Sequence, residues 1–146
     1  MVSAWEGTVT YEQWEQAVPP LIRTDTLWSV KAYRLGLFLS DLVWHDADKL
    51  LRNPKTRRMA DQLFRCSGNI SSTIAEGYSR DTGKARATFY EYACGSARES
   101  RDWYYKSRMA FTPKLVDHRL DLTTQIVKLT LRMISTERRS NRRASD

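Results

Sequence analysis

Apolar residues recur every three to four positions along four long segments of this chain, and strand-like alternation is scarce. The first helix is predicted to begin after a cap at Asp25 or Thr26 and to fade through residues 45–52, before the breaker Asn53-Pro54. Its apolar stripe consists of Val30, Tyr33, Leu37 and Trp44, widened by Leu35, Leu39 and Leu42.

The second helix is predicted to start at Pro54, because proline is tolerated in a first helical turn. We expect it to stop at Gly77, since glycine readily adopts the left-handed conformation that closes a helix. Its apolar face is predicted to carry Met59, Leu63, Cys66, Ile70 and Ile74, and its exposed side Lys55, Arg57, Arg58 and Arg65.

A turn at residues 81–83 precedes the third helix, which is predicted to run to about Met109 and is marked by Phe89, Tyr92, Ser96, Glu99 and Trp103. Thr112-Pro113 predicts the start of the fourth helix by the same cap-then-proline pattern. This helix has two adjoining stripes, which indicate burial against more than one neighbour: Leu115, Leu122, Ile126, Leu129 and Met133, and then Val116, Leu120, Val127 and Ile134.

These segments predict an all-α fold, an antiparallel up-down-up-down four-helix bundle over residues 25–136. Residues 1–24 are expected to form an arm with a short helix that Thr10 caps and Pro19-Pro20 ends. Trp5, Tyr11 and Trp14 are expected to dock this arm on the bundle or on a neighbouring subunit. Residues 137–146 are basic and lack apolar anchors, so we expect a disordered tail.

Composition is compatible with one domain, because 146 residues with 41% hydrophobic content can fill a single core. No segment is apolar enough to cross a bilayer, and the expectation is a soluble, cytoplasmic protein. Cys66 and Cys94 are expected to be buried as small hydrophobes, and His45 and His118 have no metal-ligand spacing around them. We therefore expect no metal, no cofactor and no catalytic centre.

The net charge of +7 arises mainly from the middle of the chain, where residues 55–108 carry eleven basic and six acidic side chains. The tail adds to this excess through Arg138, Arg139, Arg142 and Arg143. A basic surface attracts polyanions through Coulomb steering and counterion release, so nucleic acid is the leading partner class. The alternative is a solvated surface that binds nothing acidic.

The segment 78–86 combines an aromatic residue, hydroxyls and three cations, a mixture suited to phosphate contact with base stacking. Gly83-Lys84 lacks the spaced glycine and the following hydroxyl of a nucleotide-binding P-loop. The candidate nucleic-acid contacts are Arg57, Arg58, Arg65, Tyr78, Arg80, Lys84, Arg86, Arg98 and Arg101.

Small side chains concentrate at the end of the second helix and the middle of the third: Ser71, Ser72, Thr73, Ala75, Gly95, Ser96 and Ala97. They predict close helix packing, with the hydroxyls bonded to backbone carbonyls or to a buried acid. Glu76 and Glu99 lie beside this region, either as general acid/base groups or as structural acceptors bonded to Asn69, Ser96 or a helix end.

A paired motif in these two helices resembles that of the four-helix-bundle proteins encoded by intervening sequences of bacterial large-subunit ribosomal RNA genes. That family is also related to accessory proteins of diversity-generating retroelements. The resemblance covers about residues 27–135, with Ser71 and Thr73 where the family has proline and asparagine. The matching residues are Arg65, Ile70, Ile74, Ala75, Glu76, Gly77 and Arg80, and then Phe89, Ala93, Gly95, Ser96 and Glu99.

The resemblance implies a bundle that assembles into a ring, typically a pentamer, without known enzymatic activity. It also implies a basic surface for RNA or DNA and, as in the retroelement relatives, docking on a reverse transcriptase. The leading hypothesis is therefore a non-enzymatic oligomeric scaffold for structured RNA or RNA/DNA. A second is an adaptor for an acidic protein partner, prompted by five tryptophans. A third is an enzyme, motivated only by the proximity in sequence of Glu76, Arg80 and Lys84.

Overall fold

The computed structural model describes residues 9–146, and these residues form helices joined by short turns. The α-helices of this part of the chain are α1 (Tyr11–Ala17), α2 (Pro20–Arg23), α3 (Lys31–Leu51), α4 (Arg57–Tyr78), α5 (Gly83–Lys106) and α6 (Pro113–Ser145). Two 3₁₀ turns, Thr26–Ser29 and Arg108–Ala110, precede α3 and α6.

The four long helices α3 to α6 pack as an antiparallel up-down-up-down bundle, as predicted. The Ser100 hydroxyl of α5 reaches the Cys66 sulfur of α4 at 3.2 Å, whereas Gly77, eleven residues beyond Cys66, packs near the start of α5. Arg119 near the start of α6 meets Asp46 near the end of α3. Gly36 near the start of α3 likewise lies beside Ile70 in the second half of α4, and Gly83 at the start of α5 lies beside Glu137 late in α6. Successive helices therefore run in opposite directions.

Two helix starts lie later than the sequence pattern predicts. Asp25 caps the 3₁₀ turn by accepting from the Leu27 amide, and α3 begins only at Lys31, after that turn. The turn at residues 53–56 uses Pro54, and α4 begins at Arg57. The predicted cap at Thr112 is confirmed, since its side chain accepts from the Leu115 amide with Pro113 in the first turn.

The buried face of α3 differs in part from the predicted stripe, and that of α5 consists mostly of residues that the sequence pattern did not mark. In α3 the widening residues Leu35, Leu39 and Leu42 are buried, whereas Trp44 is 67% exposed. In α5 the core face instead consists of Ala87, Tyr90, Ala93, Cys94, Ala97, Ser100 and Tyr104. The residues that marked this helix in the sequence, Phe89, Tyr92, Ser96, Glu99 and Trp103, lie outside that buried set. The small side chains of Ala93 and Ala97 are buried, in agreement with the close helix packing that the sequence predicts.

Gly77 does not end α4 as expected. The helix continues to Tyr78, and the residue after it, Ser79, has right-handed backbone angles (φ −82°, ψ −1°). A Cβ on Gly77 would lie 2.7 Å from the Phe89 Cβ and 3.0 Å from the Tyr90 ring. The glycine is therefore required by the close approach of α4 and α5.

The N-terminal arm docks on the bundle through aromatic side chains. Thr10 and Gln13 form a reciprocal capping box at the start of α1. Trp14 is buried against Phe38 of α3, with ring centroids 5.4 Å apart, and its indole N–H donates to an Asp41 carboxylate oxygen at 2.7 Å. Tyr11 also packs on Phe38, so the docking of both residues is confirmed, whereas Trp5 lies outside the described residues.

The predicted disorder of residues 137–146 is wrong, because α6 continues as a helix to Ser145. Glu137 accepts a hydrogen bond from the Arg86 guanidinium at 2.9 Å, and Arg138 pairs with Glu91. A Cβ on Gly83 would lie 2.8 Å from the Glu137 carbonyl oxygen and 3.5 Å from the Asn141 Cβ. The start of α5 thus supplies the contacts that the sequence of the tail lacks.

A buried polar cluster joins three helices and is not visible in the hydrophobic pattern. One Asp46 carboxylate oxygen accepts from the Tyr104 hydroxyl and from Arg119 Nε, each at 2.7 Å, and the other accepts from Arg119 at 3.1 Å. Burial, reinforced by the Asp46 charge, raises the pKa of Tyr104 well above its usual value. Tyr104 therefore stays protonated and acts as a donor to Asp46.

Candidate nucleic-acid interface

The cations proposed from the sequence are distributed along the whole bundle. Arg57 and Arg58 begin α4, whereas Arg80 follows the other end of the same helix. A helix rises 1.5 Å per residue, so Arg57 and Arg80 are separated by about 35 Å. The structure therefore does not gather the predicted set into one patch.

The segment from Tyr78 to Arg86 is mostly helical, with only residues 79–82 between α4 and α5. The Thr82 side chain caps α5 by accepting from the Ala85 amide at 3.1 Å. Arg80 lies 4.7 Å from the centroid of the Phe89 ring, and Lys84 is exposed in the first turn of α5. These two cations face solvent at the turn.

Arg86 and Tyr78 are held by other residues of the bundle. The Arg86 guanidinium donates to Glu137 and, at 2.9 Å, to the Arg80 carbonyl, so this arginine anchors the turn to α6. The Tyr78 hydroxyl bonds to the Thr26 hydroxyl at 3.0 Å, and the residue remains 37% exposed. Arg86 is thus a structural cation, whereas the Tyr78 ring retains a surface on which a base can stack.

The cations in the middle of the bundle lie on two different sides of α5. Arg65 of α4 forms a 2.6 Å ion pair with Glu99 of α5, an exposed contact that contributes little stability. Arg98 and Arg101 lie on the other side of α5, in a shallow groove with α6, where Arg101 donates to the Thr124 hydroxyl at 3.3 Å. Arg65 consequently faces a different part of the surface from Arg98 and Arg101.

The two glutamates of the small-residue region have separate environments. Glu99 accepts from Arg65, and not from the partners Asn69 and Ser96 that the sequence suggested. Glu76 is exposed on α4. The neighbouring hydroxyls bond to backbone carbonyls as predicted, for example Thr73 to Asn69 at 2.6 Å.

The paired sequence motif divides into core and surface positions. Packing explains the motif positions that are buried, which are Ile70, Ile74 and Gly77 of α4 and Ala93 of α5. Gly95 is exposed, and a Cβ there would meet nothing within 4 Å. Packing within one chain therefore does not account for Gly95.

Sequence reasoning omitted the arginines of the last helical turns from the candidate interface. Because α6 continues past Gly83, it brings an additional basic segment to the end of the bundle that carries Arg80 and Lys84. The exposed arginines in this segment are Arg138, Arg139, Arg142 and Arg143. The sequence did indicate that the fourth helix could continue through the tail, because residues 114–146 contain neither glycine nor proline to end it.

No group of three or more potential ligand side chains among residues 9–146 could hold a metal ion. Cys66 and Cys94 are both buried, as predicted, and burial raises the pKa of the Cys66 thiol. None of the helices in this part of the chain is both long and apolar enough to span a membrane.

The fold is similar to a crystal structure of a protein of unknown function from the S23 ribosomal protein family of Bacteroides thetaiotaomicron VPI-5482. The TM-score is 0.66 at 18% sequence identity, and the match covers 70% of this chain and 97% of the other. No curated protein matches this sequence significantly. The family model described as 23S rRNA-intervening sequence protein matches residues 29–135, which span α3 to α6 apart from the tail. This chain therefore belongs to the family of 23S rRNA-intervening sequence proteins.

Proposed function

We propose that this protein is a non-enzymatic, oligomeric scaffold that binds structured RNA or an RNA/DNA hybrid at one end of its bundle. The observation that carries the proposal is the convergence of two basic segments. Arg80 and Lys84 lie at the α4–α5 turn, and α6 passes this turn before presenting Arg139, Arg142 and Arg143. Clustered exposed guanidinium and ammonium groups favour phosphate-rich ligands, and Tyr78 provides an aromatic surface nearby.

Within this proposal the scaffold presents its nucleic acid to an enzyme encoded nearby, such as a reverse transcriptase. The family resemblance supports assembly into a ring, which would repeat the basic end around a symmetry axis and raise avidity for a long polyanion. Light-scattering mass at low and high salt tests the assembly. A monomer at all protein concentrations would contradict it.

Charge reversal at the two ends of the bundle tests where RNA binds. The triple variant Arg80→Glu, Lys84→Glu and Arg142→Glu changes the proposed end, and Lys55→Glu, Arg57→Glu and Arg58→Glu makes the same charge change at the opposite end. Fluorescence anisotropy with a labelled RNA hairpin, across a salt series, measures affinity. The first variant is expected to reduce the slope of log K against log salt by about three, one for each lost phosphate contact.

The second variant is the matched control and is expected to keep most of the slope. Equal losses in both variants would show that only net charge matters, and the proposed site would then be wrong. Wild-type protein that fails to bind either the hairpin or an RNA/DNA hybrid at low salt would contradict RNA binding altogether. Circular dichroism checks that both variants remain helical.

A second candidate, a protein-interaction adaptor, is favoured by one exposed aromatic pair. Trp44 of α3 is 67% exposed and meets the Phe64 ring of α4 edge-on, with centroids 6.0 Å apart. Exposed tryptophan on an apolar patch is typical of protein contacts. Of the other tryptophans in the described chain, Trp14 is buried and Trp28 and Trp103 are half-buried.

Trp44→Ser is expected to abolish capture of a partner from the native host, or to lower the oligomer mass, without changing RNA affinity. Met109→Ser removes a similarly exposed apolar side chain elsewhere and serves as the control. Capture that disappears after nuclease treatment would show bridging by nucleic acid and would contradict direct protein contact.

A further inference from the structure

A pocket of about 570 Å³ lies at the end of the bundle where α3 begins and α4 ends. All four long helices contribute to its wall, with apolar contacts from Val30, Ala32, Leu129 and Met133. Its volume falls within the range of roughly 300–1,000 Å³ that small-molecule sites occupy. Among the RNA contacts of the proposed scaffold, Tyr78 alone lines this pocket, and the family motif does not account for it.

The first turn of α3 presents unused hydrogen-bond donors to this pocket. No side chain caps α3, and its first turn has no acidic residue. The Tyr33 and Arg34 amides bond to the Val30 carbonyl, whereas the Lys31 and Ala32 amides find no acceptor among residues 9–146. Free amides at the start of a 21-residue helix, together with the helix dipole, favour an anion.

An unpaired hydroxyl provides independent evidence for a ligand. Tyr90 of α5 is only 3% exposed and lines the pocket, yet its hydroxyl has no hydrogen-bond partner in the described chain. No fully buried side-chain oxygen in the described chain lacks a partner, so the Tyr90 hydroxyl keeps access to the pocket, where a ligand can bond to it. Burial, together with the nearby Glu137 carboxylate, raises the pKa of Tyr90, so the hydroxyl remains protonated and able to donate.

The charges around the pocket match an anionic ligand with an apolar body. Lys31 and Arg132 are exposed at its edge and form no ion pair among the described residues. The other two charged residues of the wall, Arg86 and Glu137, form an ion pair with each other. Met133 and Tyr78 add apolar surface to the wall.

We propose that this pocket binds a phosphate monoester attached to a planar ring, the chemistry of a nucleoside monophosphate. The phosphate accepts from the Lys31 and Ala32 amides and pairs with Lys31 and Arg132, while the ring packs against Met133 and Leu129. The Tyr90 hydroxyl donates to the ligand. Two sources share this chemistry, a free nucleotide and the 5′-phosphorylated end of an RNA strand. The site does not depend on RNA binding by Arg139, Arg142 and Arg143.

Isothermal titration calorimetry with adenosine monophosphate, adenosine and inorganic phosphate tests the proposal. The monophosphate is expected to bind at least about tenfold more tightly than adenosine, because the charged contacts are lost without the phosphate. Tyr90→Phe removes one hydroxyl and is expected to weaken binding about three- to tenfold. Arg132→Gln is expected to weaken it about tenfold or more.

Tyr92→Phe and Lys128→Gln change exposed side chains on the same helices and serve as controls with unchanged affinity. Failure of the monophosphate to bind at millimolar concentration would overturn the proposal, as would equal affinity for adenosine or an unaffected Tyr90→Phe variant. Competition between the monophosphate and a 5′-phosphorylated oligonucleotide, with a 5′-hydroxyl oligonucleotide as control, distinguishes the two sources. The RNA hairpin assay is separate, so either proposal can fail while the other survives.

Discussion

At the residue scale, small side chains lie where the helices of this bundle approach each other most closely. Gly77 permits the contact of α4 with Phe89 and Tyr90, and Ala93 and Ala97 continue the closely packed face of α5. The sequence showed that small residues cluster here, because composition is visible without coordinates. The sequence pattern assigned Gly77 to a helix end, because a glycine that permits close packing cannot be distinguished from a capping glycine without coordinates.

Gly77→Ala is expected to destabilise the bundle by about 1–3 kcal/mol, because its Cβ would overlap the Phe89 Cβ. Urea unfolding measures the free energy. Gly95→Ala is the matched control, because Gly95 lies in an exposed, open part of α5. Alanine has the higher helix propensity, so this change is expected to raise the free energy of unfolding by roughly 0.5–1 kcal/mol. A Gly77→Ala variant as stable as the wild type would show that α4 and α5 do not approach so closely.

At the element scale, helix type was easier to predict than helix ends and buried faces. The period of apolar residues predicts four long helices because each must bury a stripe. The start of α3 was missed because Asp25 caps a separate 3₁₀ turn, a distinction that depends on backbone geometry. The tail of α6 was missed because its anchors, Arg86 and Gly83, belong to another helix.

Removing the Glu137 carboxylate is expected to loosen the last turns of α6. In Glu137→Ala the Arg86 pair is lost, and amide hydrogen exchange over residues 137–145 should accelerate while residues 113–134 keep their protection. Lys128→Ala, at an exposed site earlier in α6, is the control and should change neither segment. Unchanged exchange over residues 137–145 would mean that the last turns of α6 are stable without the Arg86–Glu137 ion pair.

At the scale of the whole molecule, the cluster of Asp46, Tyr104 and Arg119 ties α3, α5 and α6 together inside the core. Such a cluster makes the arrangement of helices specific only if each member is satisfied. No buried side-chain nitrogen or oxygen in the described chain lacks a partner in the structure. Removal of one member should therefore destabilise the bundle as a unit.

Asp46→Ala is expected to lower the free energy of unfolding by about 3–5 kcal/mol, because it leaves the largely buried Arg119 charge unpaired. Asp48→Ala, at an exposed position two residues further along α3, should change stability by less than about 0.5 kcal/mol. Thermal and urea unfolding of the two variants make the comparison. Similar stabilities for both would indicate that the cluster does not hold the three helices.

The sequence by itself determined the number and type of the long helices and the family pattern, because apolar periodicity and motif spacing are local properties of the chain. It also located the excess positive charge, but not its arrangement in space. Only the tertiary structure decided that Arg86 is used internally, that the α6 arginines adjoin Arg80 and Lys84, and that Tyr90 opens into a pocket. Each of these outcomes depends on contacts between residues far apart in sequence, which packing alone brings together.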